Sequence, residues 1–280
     1  MTPVTTNTAA SGRVSSGHAA STVEAVAGKR PGISLAEVNS AAALQRRVDR
    51  TYLVTTDQMR NLGAALGSRF RSLEIEGQRL MRYDSVYFDS PSLTLFRAHS
   101  HGRRRRFKVR VRTYLDSGAR FVEVKTKSGR GETVKHRIPY LTGERTVLDG
   151  EALDFVSSVL RQEYDVEPPP LVPVLVSRYR RTTLVDPAGG ARLTCDVDMR
   201  WSTSRRTVEG PEKVLLESKT TGKGQVDREL AMRGIRPISM SKYALGTALL
   251  HPGLAANRWN RLLRTEFDWR RDASDGLSPH

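Results

Sequence analysis

The residues of this chain best suited to chemistry are cations that alternate with apolar side chains. In Phe107-Lys108-Val109-Arg110-Val111-Arg112 the basic residues fall on even numbers, running back to Arg106 and Arg104, and the apolar ones on odd numbers. Val122-Glu123-Val124-Lys125-Thr126-Lys127, Thr133-Val134-Lys135-His136-Arg137-Ile138, Leu193-Thr194-Cys195-Asp196-Val197-Asp198-Met199 and Leu216-Glu217-Ser218-Lys219 repeat the alternation. Arginine forks grip phosphate oxygens in pairs, and lysines act as compact point charges beside them. A few acids among these cations are placed as the ligands of a divalent metal would be. The combination suits binding of a polyanion.

Such residues need strands to position them. Successive strand side chains point to opposite faces, so a period of two separates a charged face from an apolar one. An ordinary antiparallel sheet with one wet face gives the same alternation. A wet face, however, mixes signs and neutral polar residues, whereas Arg106, Lys108, Arg110 and Arg112 stand together. Two unit charges about 5 Å apart at an effective dielectric of about 20 repel by roughly 3 kcal/mol. Water or an anion must offset that, and the recurrence of cations on several strands favours the anion. The expected architecture is α+β, an antiparallel β-barrel tunnel with a charged lumen and helices packed outside.

The 280 residues suffice for one large domain or two small ones. Lysine and arginine number 46 against 30 acids, a net charge of +16, which implies an anionic partner. The single Cys195 excludes an intramolecular disulfide framework and fits a reducing cytoplasm; on the apolar side of its strand it reads as a packed thiol. Residues 1–33, rich in Thr, Ser, Ala and Gly, read as a disordered tail rather than a signal peptide. No apolar run approaches the roughly eighteen residues of a membrane span. A soluble cytoplasmic protein is expected.

Along the chain, Ser34 is placed to cap a helix through Leu35, Val38, Ala42 and Leu44, ahead of Tyr52-Leu53-Val54. A second helix follows Thr56 or Asp57. Tyr83 to Asp89 reads as a strand, Ser90-Pro91-Ser92 as a turn, and Asp116-Ser117-Gly118 and Ser128-Gly129-Arg130-Gly131 as hairpin turns. Residues 151–164 carry helical spacing, strands are expected near 178–184, 191–199 and 212–219, and helices close the chain around 226–233, 241–250 and 254–267. A tunnel domain over 34–252 and a C-terminal helix and tail over 253–280 follow from this order.

Arg82-Tyr83-Asp84-Ser85-Val86-Tyr87-Phe88-Asp89, Arg110-Val111-Arg112-Thr113-Tyr114, Glu123-Val124-Lys125-Thr126-Lys127, Leu216-Glu217-Ser218-Lys219 and Ser241-Lys242-Tyr243 occur in the order found in VTC domains. Over about residues 45–250 the chain resembles the polyphosphate polymerase domain of the vacuolar transporter chaperone type, within the triphosphate tunnel metalloenzymes. The resemblance implies an ATP-dependent polyphosphate polymerase, a phosphotransferase that adds the γ-phosphate of ATP to a growing chain and releases ADP. It implies a divalent metal, Mn2+ or Mg2+, on Glu217. It further implies phosphate contacts from Arg97, Arg110, Arg112, Lys125, Lys135, Arg181, Arg192 and Lys242, with Lys242, Arg110, Arg112 and Lys125 catalytic. ATP and polyphosphate are the implied partners, with a phosphorylated metabolite as a regulator and a separate membrane protein for export. Thr51, before Tyr52, stands where the family's first motif carries lysine.

Alternation cannot say which of Arg178, Arg180 and Arg181 faces the lumen, since cations occupy both parities there. Asp196 and Asp198 read as metal ligands or arginine partners, and Glu123 as an ion pair with Lys125. Two other readings compete: a tripolyphosphate or nucleoside-triphosphate hydrolase on the same tunnel, and a non-catalytic module binding polyphosphate or inositol phosphates. Thr220-Thr221-Gly222-Lys223-Gly224 lacks the first glycine and the final hydroxyl of a phosphate loop. His99-Ser100-His101 has metal-binding spacing without an accompanying acid or cysteine. Arg103 to Arg106 lacks the aromatic interleaving of a nucleic-acid site, so no nucleic-acid partner is expected. Trp201, Trp259 and Trp269 read as packing residues.

Overall fold

The computed structural model describes residues 17–42, 48–129, 132–141, 143–220 and 224–269. Residues 1–16, Leu44, the turn residues Arg130-Gly131, Thr221-Gly222-Lys223 and the tail from 270 onward lie outside the described residues. The chain opens with α1 (His18–Gly28), β1 (Gly32–Ile33) and α2 (Leu35–Ala42), then β2 (Val48–Val54) and α3 (Thr56–Leu66). A capping box starts α3: Gln58 N–H donates to Thr55 Oγ1 at 3.2 Å and Thr55 N–H to Gln58 Oε1 at 2.9 Å. Next come β3 (Arg71–Leu73), β4 (Met81–Asp89), α4 (Thr94–Ser100), β5 (Arg106–Tyr114), β6 (Arg120–Lys127), β7 (Thr133–Pro139) and α5 (Gly150–Tyr164). The chain finishes with β8 (Val172–Asp186), β9 (Ala191–Ser202), β10 (Thr207–Glu209), β11 (Val214–Thr220), α6 (Gln225–Met232), α7 (Lys242–Leu250), a 3-10 turn at Asn257–Trp259 and α8 (Asn260–Phe267).

The expected disordered tail does not extend to residue 33. Ala19, Ala20, Val23, Val26 and Ala27 recur at helical spacing and are buried in α1, which packs on α3. Small residues let that helix lie close, with Val26 against Gly63. The Arg30 guanidinium completes the anchor by donating to the Val26 and Gly63 carbonyls.

Strands pair antiparallel in the order β2-β11-β9-β8-β4-β5-β6-β7, with β3 and β10 attached at the sides. In a flat sheet β6 would stand five strands from β11, about 24 Å away. Yet the Lys125 ammonium on β6 feels Glu217 and Lys219 of β11 and Asp49 of β2. The sheet therefore curls until its ends face each other, an open half-barrel. Among the described residues no strand pairing joins β2 to β7. The segment before α7 bridges the two sides instead: Ile238 N–H donates to Thr51 O at 2.7 Å, and Lys108 Nζ donates to Ser241 Oγ at 2.7 Å.

Apolar residues on the convex face form two cores. Tyr52, Leu193, Cys195 and Leu216 pack with α1, α3 and α6; Val109, Val111, Val122 and Val124 pack with α5. Helices thus lie outside the curl, as the alternation predicts. One helix does not: α7 is buried throughout and packs against Tyr87, Tyr179, Leu215 and Trp201, while Trp259, Leu263 and Trp269 of the C-terminal segment join the same core. Gly246 permits this, because a Cβ there would stand 2.2 Å from Trp201 Cδ1. Among the described residues no helix is long and apolar enough to cross a membrane.

Candidate active site

Strand register decides which side chains share the concave face. Ser85 lies opposite Arg112, Tyr87 opposite Arg110, Arg110 opposite Glu123, Lys108 opposite Lys125, and Lys125 opposite Lys135. Across the curl, Arg181 lies opposite Asp196, Thr194 opposite Glu217, Arg192 opposite Lys219, and Glu217 opposite Thr51. Arg110, Arg112, Lys125, Lys135, Arg181, Arg192 and Glu217 are therefore on one surface. Lys242, at the start of α7 after its Ser241 cap, reaches the same surface from above. Arg97 does not. It is exposed on α4, where its Nε donates to the Ser92 carbonyl at 3.1 Å.

Two ion-pair clusters organise the trough. In the first, Glu123 is 1 % exposed and accepts from Arg110 Nε at 2.7 Å, with Lys135 Nζ at 3.4 Å and Arg112 Nη1 at 3.9 Å. Burial alone would raise the Glu123 carboxyl, but Arg110, Arg112 and Lys135 outweigh it and hold it well below the usual carboxylate range. The same pairing outweighs burial at Arg110 and raises its guanidinium above the usual value. The expected Glu123–Lys125 pair is thus corrected: residues two apart on a strand share a face but point in parallel, whereas Arg110 lies directly across.

In the second cluster Arg181 donates to both oxygens of fully buried Asp196, at 2.5 and 2.8 Å, and stands 3.9 Å from Glu217. Lys242 Nζ also binds Asp196 and lies 3.5 Å from Glu217 Oε1. Burial raises the Glu217 carboxyl, but Lys242, Arg181, Lys219 and Lys125 prevail and keep it ionised far below its ordinary range. A third of its side chain still opens to the cavity. Burial would lower the Lys242 ammonium; Asp196 and Glu217 raise it instead, so it stays charged.

A β-bulge resolves the ambiguous parities. The β8–β9 register shifts between Arg178 and Arg180, beside Asp198 at φ 51°. Asp198 pairs with Arg180, and Arg178 with Asp84, away from the Arg181–Asp196 pair. Asp198 is therefore not a companion of Asp196, and Met199 leaves the convex side to join the α7 core.

Alternation did not reveal the tyrosines beneath the cations. Tyr83 and Tyr179 stack at 5.1 Å with 5° between planes. The Arg112 and Arg181 guanidinium carbons lie 5.5 and 5.4 Å from the Tyr83 ring centre, and Lys242 Nζ lies 4.7 Å from that of Tyr179. Arg112 also donates to Tyr179 OH at 3.1 Å and Arg110 to Tyr87 OH at 3.1 Å. The odd parity of Tyr83 and Tyr87 was the available signal. His99 stands in no metal cluster among the described residues: it packs edge-on to Tyr243, its Nε2 lies 3.3 Å from the Phe107 carbonyl, and burial, Lys108 and Arg106 push it down to about 2.

Among the described residues no three His, Cys, Asp or Glu side chains gather as a metal cage. Asp196 already serves Arg181 and Lys242, which leaves Glu217 as the carboxylate with an open side. One carboxylate plus substrate phosphates is how Mg2+-like ions commonly bind, so these residues fit such an ion when phosphate accompanies it. The arrangement as a whole can seat a phosphate chain along cations held rigid by buried acids.

The family model described as VTC domain matches residues 46–251. No curated protein matches the chain. Similar solved structures include a putative adenylyl cyclase from Hippeastrum, described as having a dominant triphosphatase activity, at 17 % identity, covering 72 % of this chain and 96 % of that one with a TM-score of 0.48. A putative adenylate cyclase from Vibrio parahaemolyticus matches at 13 % identity over 70 % and 95 %, TM-score 0.40. A Pyrococcus horikoshii protein matches at 13 % over 71 % and 99 %, TM-score 0.39.

Proposed function

The chain belongs to the VTC domain family, and from that membership we propose that it is a polyphosphate polymerase using ATP as phosphoryl donor. The observation that carries the reading is the convergence on one curled face of Arg110, Arg112 and Lys135 around Glu123 and of Lys125, Arg181 and Lys242 around Glu217. Phosphoryl transfer asks a protein mainly for positioning and charge neutralisation. Arg110 and Arg112 are pre-aimed by Glu123, Ser85 and the tyrosine hydroxyls, so they need little reorganisation on binding phosphate.

In the reaction, a terminal phosphate oxygen of the growing chain attacks the γ-phosphorus of ATP, a new P–O bond forms, and the bond to the β-phosphate oxygen breaks to release ADP. The attacking oxygen is already ionised, so no general base is required. Lys242, kept charged by Asp196 and Glu217, stabilises negative charge at the reacting phosphates. Glu217 would hold a divalent ion, Mn2+ or Mg2+, which when bound offsets charge on the phosphate oxygens.

A second reading, hydrolysis of tripolyphosphate or a nucleoside triphosphate, is supported by Thr51. Its short hydroxyl side chain lies directly opposite Glu217 where the resemblance places a lysine, so one cation fewer is present to hold a phosphate there. Phosphorus-31 NMR of the protein with ATP and Mn2+ separates the two. Internal-phosphate signal growing with ADP, and lost in Arg110→Ala and Lys125→Ala, is the expected result. Orthophosphate alone would establish the hydrolase, and full activity in Arg110→Ala would overturn the assignment of this face.

A further inference from the structure

At one end of the trough, adjoining the centre through Lys108 and Lys125, Arg106, Lys108, Lys125, Lys127 and Arg258 line a cavity of about 190 Å³. No carboxylate lines it, and among the described residues none of the five is ion-paired. In the centre, by contrast, Glu123, Asp196 and Glu217 offset the cations. Arg106 Nε is buried there without a hydrogen-bond partner among the described residues. The cost of this crowding is visible: burial, then Arg106 and Arg258, lower the Lys127 ammonium, and burial and Arg258 lower Arg106.

Arg258 comes from beyond the matched residues 46–251. It is carried by the 3-10 turn, which is held in place by Trp259 packing 6.2 Å from Phe96 and by Ser100 Oγ donating to the Ala255 carbonyl at 2.7 Å. Its guanidinium crosses the turn before β5 at Gly102, where φ is 67° and a Cβ would stand 3.2 Å from Arg258 Nη1. Arg106 is four residues from Arg110 on β5, about 13 Å along the strand. The triphosphate group of a nucleotide seated on Arg110 and Arg112 is too short to span that distance.

We propose that Arg106, Lys127 and Arg258 form a second anion subsite, which holds phosphoryl groups of a long polyphosphate chain remote from its reacting end. The subsite rests on the reading that the central trough binds phosphate chains. It sets which length of chain the protein prefers, and the segment after the matched domain supplies part of it.

Calorimetric titration without metal tests this, using tripolyphosphate and a long-chain polyphosphate of defined length against the full-length protein, Arg258→Gln and Lys127→Gln/Arg258→Gln. Both side chains are at least partly exposed, so the fold should persist, and melting curves check it. Long-chain affinity should fall about tenfold in the double variant, the worth of a charged hydrogen bond, with tripolyphosphate affinity within about twofold of wild type. Equal losses for both probes, or no loss for the long chain, would overturn the proposal. So would two tripolyphosphate ions on wild type and one on Arg258→Gln, since that places a separate small anion in the subsite. Arg110→Ala titrated in parallel isolates the premise: undiminished tripolyphosphate binding there would refute the central site, whatever the mouth variants do.

Discussion

Glu123→Gln removes the acid that three cations share while keeping its shape. Glu123 is almost wholly buried, Arg110 donates to it through Nε and Nη2, and Lys135 and Arg112 flank it. Breaking a buried ion pair by neutralising one partner costs about 3–5 kcal/mol. Lys135 is nearly half exposed and its share is screened, so the loss is set mainly by Arg110, at about 3 kcal/mol. For a chain of this size that lowers Tm by about 6–9 °C. The sign with pH follows from the depressed carboxyl: its stabilisation is complete above the ordinary value of 4.5 and is lost as pH falls through the lower folded-state value. The gap between variant and wild type should therefore be full at neutral pH and close in strong acid. Saturating tripolyphosphate should also narrow it, because the anion supplies the missing negative charge. Calorimetric melts across pH, with and without tripolyphosphate, are the assay. A neutral-pH Tm within about 2 °C of wild type would refute the claim that Glu123 holds the arginines.

Lys108 is lowered to about 7 by burial first, then by Lys125, Arg110 and Arg106, with Glu217 opposing; His99 packs nearby and is neutral. A bound anion favours its charged form, so long-chain polyphosphate should bind with proton uptake and weaken as pH rises through about 7, and Lys108→Met should lose that part of the pH dependence; uptake identical in both proteins would count against it. Asp227, buried in α6, accepts from Arg50 at 2.7 Å, Tyr52 at 2.9 Å, Ser218 at 2.6 Å and Thr220 at 3.2 Å. Asp227→Ala strands these donors and should cost about 3–5 kcal/mol in urea unfolding with an unchanged m-value, whereas a loss below about 1 kcal/mol would mean α6 is held by its apolar contacts alone.

Much of the concave face was legible because a strand turns sequence parity directly into sidedness. Lys108, Arg110, Arg112, Glu123, Lys125, Lys135 and Glu217 all declare their face through the apolar residues between them. Parity failed where the backbone broke its own period: the bulge beside Asp198 reassigned Met199 and separated Asp198 from Asp196. It was also silent on partners. That Glu123 pairs with Arg110 rather than Lys125, and Asp196 with Arg181 and Lys242, depends on which strands become neighbours and how far they shift. Helix α1 went unread because its small buried residues resemble a low-complexity tail until a partner surface is present.

The sequence by itself determined an antiparallel sheet with charged and apolar faces and the order of the family's motifs, since these follow from local period, charge and residue type. Only the tertiary structure decided that β6 and β11 face each other, that Lys242 closes over Glu217, and that Arg258 reaches the mouth from beyond the matched domain. Those relations join residues distant in the chain through sheet curl and helix docking. They arise from the summed packing of many side chains, which no local pattern records.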